Sequence, residues 1–171
     1  MKLVILDLEW NGTYSRRLKG FINEIIEFGA VMTNDRLEVI DTFEVLVRPQ
    51  VGKKISGKIE TLTNISNQDL SGGMLFMQAV SRFRKWADGA PILTWGTSDI
   101  LALIENCRYF GGDGRIPFLR QYIDLQKYCE AQMDYDPHKQ MGLSTAAQLL
   151  GISEEEFDHH RALDDSLLSL E

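Results

Sequence analysis

Side chains suited to metal or proton-transfer chemistry gather in three short segments of this sequence. The first is VILDLEWNGT, which carries Asp7 and Glu9 straight after an apolar run. Residues two apart on a strand point to the same face. Two neighbouring carboxylates with no partner are costly to bury. Hard divalent cations such as Mg²⁺ take oxygen ligands and would remove that cost. The plainer alternative is a strand that emerges into solvent by Glu9. The second segment, LTWGTSDI, places Asp99 just past a buried-type strand, at the start of a helix. A helix macrodipole alone would favour an acid there. The third, DHHRALDDSLL, holds His159, His160, Asp164 and Asp165. Histidine is the usual proton-transfer residue near neutral pH. His159–Asp164 and His160–Asp165 share one spacing, so spacing alone does not choose between them. A charged, solvated helix face is the bland reading.

These segments need a scaffold that brings them together. KLVILDLEW, INEIIEFGAVMT and LEVIDTFEVLVRP read as three strands, rich in β-branched and alternating apolar residues. TNDR makes a short turn, so the second and third should form a hairpin. GGMLFMQAVSRFRKWADG has helical spacing and a glycine stop. APILTWG is a fourth strand, and TSDILALIENCRYFGG a helix with Thr97 or Ser98 as cap. IPFLRQYIDLQKYCEAQ holds a fifth strand that runs into a helix near Asp124. GLSTAAQLLG is a short helix with Ser144 as its expected cap, and EEEFDHHRALDDSLLSLE supplies the last helix. Strands followed by alternating helices and strands imply an α/β fold with helices packed on a mixed sheet. Residues 1–171 read as a single domain that stops inside its last helix.

The chain has 171 residues, is 44% hydrophobic and 25% charged, and has a net charge of −7. This is the composition of one globular domain with a real core. No window is apolar and long enough to span a membrane, and the first residues do not form a signal peptide. Cys107 and Cys129 lack CxxC spacing, which favours a reducing, cytoplasmic setting. The negative charge argues against electrostatic coating of nucleic acid. Three small basic clusters, Arg16-Arg17-Lys19, Lys53-Lys54-Lys58 and Arg82-Arg84-Lys85, read most simply as solvated surface. Bound metals would still offset the local acidity facing a polyanion.

Together the motifs are far more specific than apart. DLEWN, TWGTSD and HHRALDDSL resemble the three motifs of the DEDDh-type 3′→5′ exonucleases, on a ribonuclease H-like fold. The likeness covers nearly the whole chain and implies a five-stranded mixed sheet flanked by helices. The family's HRALDDA register selects His160 and Asp165. EIIEFGAV looks like the family's second strand, and TLTNI like the loop that contacts 3′-terminal nucleotides. The WG before Asp99 is more similar to the Eri-like and KapD-like branch than to polymerase proofreading subunits. Two departures stand out: Trp10-Asn11 follows Glu9 where many members have Thr-Thr, and Asn64 replaces a common glycine, which asparagine tolerates best.

The resemblance implies hydrolysis of phosphodiesters by two divalent ions, Mg²⁺ or Mn²⁺. Asp7 would bridge them, Glu9 and Asp165 would hold the ion carrying the water, and Asp99 would support the second. His160 would be the general base, on a late helix. The substrate would be a 3′ end of single-stranded RNA or DNA, released as nucleoside 5′-monophosphates. Trp10 and Asn11 would sit at the terminal nucleotide, with Leu62 and Thr63 wedged against terminal bases. Trp86 and Trp95 read as core. The rival is a silent nucleic-acid or protein-binding module on the same fold, which loss of an acid or the histidine would signal.

Overall fold

The computed structural model describes residues 2–136, 138–155, 157 and 160–171. His159, the rival to His160 in the sequence reading, lies outside the described residues.

Strands β1 (Leu3–Ser15), β2 (Gly20–Thr33) and β3 (Val39–Leu46) form an antiparallel meander. Strands β4 (Ile92–Thr94) and β5 (Tyr122–Asp124) add in parallel on the other side of β1. The order β3-β2-β1-β4-β5 is the expected five-stranded mixed sheet. Its interior strands are near-continuous apolar runs because helices cover both faces. Helices α3 (Phe76–Ala87) and α4 (Ser98–Gly111) bury one face. There Phe28 packs against Phe76 and Phe83, with Leu6, Leu8 and Ile92 in the same core. The opposite face carries Ile5, Val31 and Leu93, covered by Leu163 and Leu167 of α7 (Ala162–Leu168). Helices α5 (Leu125–Gln132) and α6 (Leu143–Leu150) connect β5 to α7.

Several boundaries differ from the sequence reading. The TLTNI segment is not a simple loop: residues 61–63 end one short helix, and a second begins just after the segment, at Asn67. These are α1 (Gly57–Thr63) and α2 (Asn67–Ser71). Asn64 caps α1 in the left-handed conformation, φ 54°, the role for which asparagine is the usual substitute for glycine. Gly142, not Ser144, is the N-cap of α6. The last helix starts at Ala162 rather than Glu154 and ends at Leu168 rather than running to Glu171. His160 therefore sits in a turn before α7 and not on a helix.

A bulge interrupts the β1–β2 pairing after Glu9. Glu9 pairs with Glu27 while Trp10 pairs with Ile25, so Ile26 is the extra residue. Its side chain packs with Ile55, Ile65 and Leu70, and its carbonyl accepts the Val47 N–H. The bulge thus bends the strand pair and fastens α1 and α2 beside β1.

Candidate active site

β4 pairs only with Val4 and Ile5 of β1. Among the described residues, β1 therefore has no strand beside its outer edge from Asp7 onward. Asp99 takes up that edge: its Oδ1 accepts the Leu8 N–H at 3.0 Å, across 91 residues of sequence. Gly96 makes the turn that puts Asp99 there, at φ 80°, a conformation side-chain-bearing residues avoid. The Gly96 carbonyl accepts the Tyr122 hydroxyl at 2.7 Å, which ties the turn to β5.

Asp7 and Glu9 share the strand face of Ile5, the face that α7 covers. The turn before α7 brings His160 and Asp165 to them. Ligand atoms of Glu9, His160 and Asp165 all lie within 4.8 Å of one another. His160 has φ 63°, rare outside glycine, and its N–H donates to Asp165 Oδ2 at 3.3 Å. Strained backbone of this kind persists only where surrounding contacts impose it. Here they come from β2. Glu27 is fully buried and accepts Arg161 Nη2 at 2.8 Å, Arg161 Nε at 3.2 Å and the Ala162 N–H at 3.0 Å. Arg161 Nη2 also donates to Glu44 of β3 at 2.7 Å. Gly29, paired with Asp7, lets α7 touch the sheet: a Cβ there would lie 2.0 Å from the Leu163 nitrogen. The Ser166 hydroxyl donates to the Gly29 carbonyl at 3.0 Å.

The five residues border one cleft of about 430 Å³. Trp10 and Leu62 form part of its wall, and Leu62 is markedly exposed. Asn11 and Thr63 are buried behind that wall. Asn11 accepts the Ser56 N–H at 3.3 Å, and the Thr63 hydroxyl donates to the Ile59 carbonyl at 2.8 Å. Trp95 is not a core residue, in contrast to the sequence reading. It is half-buried and lines the cleft, its indole N–H held by the Met141 carbonyl at 3.0 Å. Trp86 is half-buried, and its indole N–H donates to Asp41 at 2.9 Å. Sequence reasoning also missed Glu27 and Arg161. Both lay inside quoted motifs, and an acid in an otherwise apolar strand was the available signal. Cys107 and Cys129 are both free thiols, and burial pushes that of Cys107 up to about 11.

The exonuclease family model RNase_T matches residues 4–171. The chain belongs to this exonuclease family. Probable 3′-5′ exonuclease KapD of Bacillus subtilis is 31% identical over 170 residues, spanning 96% of this chain and 79% of that protein. Human 3′-5′ exoribonuclease 1 is 27% identical over 157 residues, 85% of this chain but only 44% of that protein. The solved nuclease domain of 3′hExo, a DEDDh family member bound to rAMP, superposes with a TM-score of 0.83. It is 25% identical and matches 99% of this chain and 88% of that one. The chain is thus a 3′→5′ exonuclease of the DEDDh type, with the ribonuclease H-like fold of that group.

DEDDh exonucleases depend on divalent metal, and the residues here fit one. Asp7 is pushed well above the ordinary carboxylate range, first by burial and then by Asp99, Asp165, Glu9 and Glu27. Glu9 is raised to about 8, chiefly by burial, then by Asp165 and Glu27, with Arg161 opposing. Asp99 is raised to about 7 by burial, with Asp165 adding and the Leu8 N–H opposing. Protein charge alone therefore does not support this many ionised acids in one place. A divalent cation among hard oxygen donors would.

Proposed function

We propose that this protein removes nucleotides one at a time from 3′ ends of single-stranded RNA or DNA, releasing nucleoside 5′-monophosphates. The convergence of Glu9, His160 and Asp165 within 4.8 Å, beside Asp7 and Asp99, carries this reading. Asp7, Glu9, Asp99 and Asp165, which all border the cleft, would hold two divalent ions, Mg²⁺ or Mn²⁺. Once bound, they would polarise the phosphodiester and acidify the attacking water. His160, exposed at the cleft rim, accepts the proton from that water as general base. The Arg161–Glu27 pair keeps the turn shaped so that the imidazole reaches it. Trp10 offers an aromatic face to the terminal base, and Leu62 wedges beside it. Asn11 and Thr63 act on the substrate indirectly, by holding the segments that carry Ser56 and Leu62.

RNA is the favoured substrate, because exoribonuclease 1 and the rAMP-bound nuclease domain are among the similar proteins. Among the described residues no helix is long and apolar enough to cross a membrane. The two free thiols fit a reducing, cytoplasmic compartment. The silent-module reading is disfavoured by a complete set of four acids and one histidine.

A direct test is Mg²⁺-dependent shortening of a single-stranded RNA by wild type, Asp7→Ala and His160→Ala. Wild type should degrade it, and each variant should lose at least about a hundredfold in rate, the scale of general-base loss. Full activity in His160→Ala would remove the histidine from the mechanism.

A further inference from the structure

Beyond the cleft, β1 and β2 continue together as a hairpin, paired through Gly12↔Asn23, Tyr14↔Phe21 and Ser15↔Gly20. Its two faces differ in kind. Asn11, Ser15, Ile22 and Glu24 are buried, whereas Gly12, Tyr14, Phe21 and Asn23 are exposed. Tyr14 is 54% and Phe21 77% exposed, the latter the highest value for any large apolar side chain among the described residues. Their rings meet edge to face at 5.7 Å, so they form one apolar platform. The hairpin is not loose. The Ser15 hydroxyl donates to the Tyr109 hydroxyl at 3.1 Å, and Arg17 reaches the Tyr109 carbonyl at 2.7 Å while lying over its ring. This anchoring leaves Arg16 and Lys19 as exposed cations at the tip.

The platform is continuous with the cleft. Gly12 and Asn23 line the cleft and are the paired residues immediately before Tyr14 and Phe21. Trp10, Gly12 and Tyr14 lie on one face of β1. At ~3.3 Å per residue, Tyr14 stands about 13 Å from Trp10, a span of a few nucleotides. Gly12 leaves the path between them free of side chain. A rigid aromatic surface beside exposed cations, in a chain of net charge −7, suits a polyanion with exposed bases.

We infer that the Tyr14–Phe21 face, with Arg16 and Lys19, is the docking surface for the single strand upstream of the 3′ end in the cleft. The inference rests on the exonuclease reading above. Bases a few nucleotides back stack on the two rings, and their phosphates lie by the cations. The surface therefore selects for strand length.

The test compares wild type with Tyr14→Ala/Phe21→Ala on a single-stranded 12-mer and on a dinucleotide of the same sequence, with Mg²⁺. The ratio of kcat/KM for the 12-mer to that for the dinucleotide should fall at least tenfold in the variant. Arg16→Ala/Lys19→Ala should lower the same ratio and flatten its dependence on salt. A ratio within twofold of wild type in both variants overturns the inference while leaving the exonuclease reading intact. A wild-type dimer that the aromatic variant converts to monomer, with the ratio unchanged, also overturns it by assigning the face to a second copy. If wild type cleaves neither substrate, the exonuclease reading fails and this inference with it.

Discussion

At the scale of single residues, the site depends on more than its metal ligands and base. His160 is held at φ 63° by a neighbour, Arg161, whose guanidinium is clamped by buried Glu27 and by Glu44. Lysine carries a charge but not the planar fork that meets Glu27 through two nitrogens. Arg161→Lys should therefore lower kcat by roughly tenfold or more while KM moves little, since a misplaced base weakens chemistry rather than binding. Equal losses in kcat/KM through KM alone would instead place Arg161 on the substrate. The acids themselves were legible in the sequence, because carboxylates inside an apolar strand demand a reason. The clamp was not, because its partners stand 134 residues apart and nothing local marks the pairing.

At the scale of elements, the decisive contact is that of α7 on β2. The backbone of Ala162 and Leu163 approaches Gly29 so closely that any Cβ collides with main chain, which cannot rotate away. Gly29→Ala should destabilise the fold by at least about 3 kcal/mol, or push α7 off the sheet. Chemical denaturation, with limited proteolysis near residues 160–171, would register either outcome; wild-type stability would contradict the packing. The five strands could be read from apolar runs and turns, and so could β5 leading into α5 at Asp124. Two things could not. The late start of α7 depends on the Glu27 carboxylate accepting the Ala162 N–H, which fixes where the helix begins. The short helices α1 and α2 owe their place to the Ile26 bulge and its small core with Ile55, Ile65 and Leu70, a tertiary effect.

At the scale of the whole molecule, the crowded acids tie stability to pH and to metal. Glu9 and Asp99 titrate near 8 and 7 in the folded protein, above their values of 4.5 and 3.8 in an unfolded chain. Between those limits the folded state holds more protons than the unfolded state, so raising pH costs stability. The metal-free protein should lose Tm from about pH 5 to pH 8. Glu9→Gln should flatten that loss. Divalent cations bind the ionised acids, so the rise in Tm on adding Mg²⁺ or Mn²⁺ should be larger at pH 8 than at pH 6. Calorimetry at the two pH values, with and without EDTA, checks both signs. A metal-free Tm that rises steadily to pH 8 would contradict the burial of these acids.

The central claim is metal-dependent cleavage from the 3′ end. Its most direct measurement uses a single-stranded RNA labelled at its 5′ end, incubated with the purified protein and Mg²⁺. The label should remain on products that shorten stepwise, nucleoside 5′-monophosphates should accumulate, and EDTA should stop both. Release of the label as a mononucleotide at the outset, or shortening that continues undiminished in EDTA, would contradict the account.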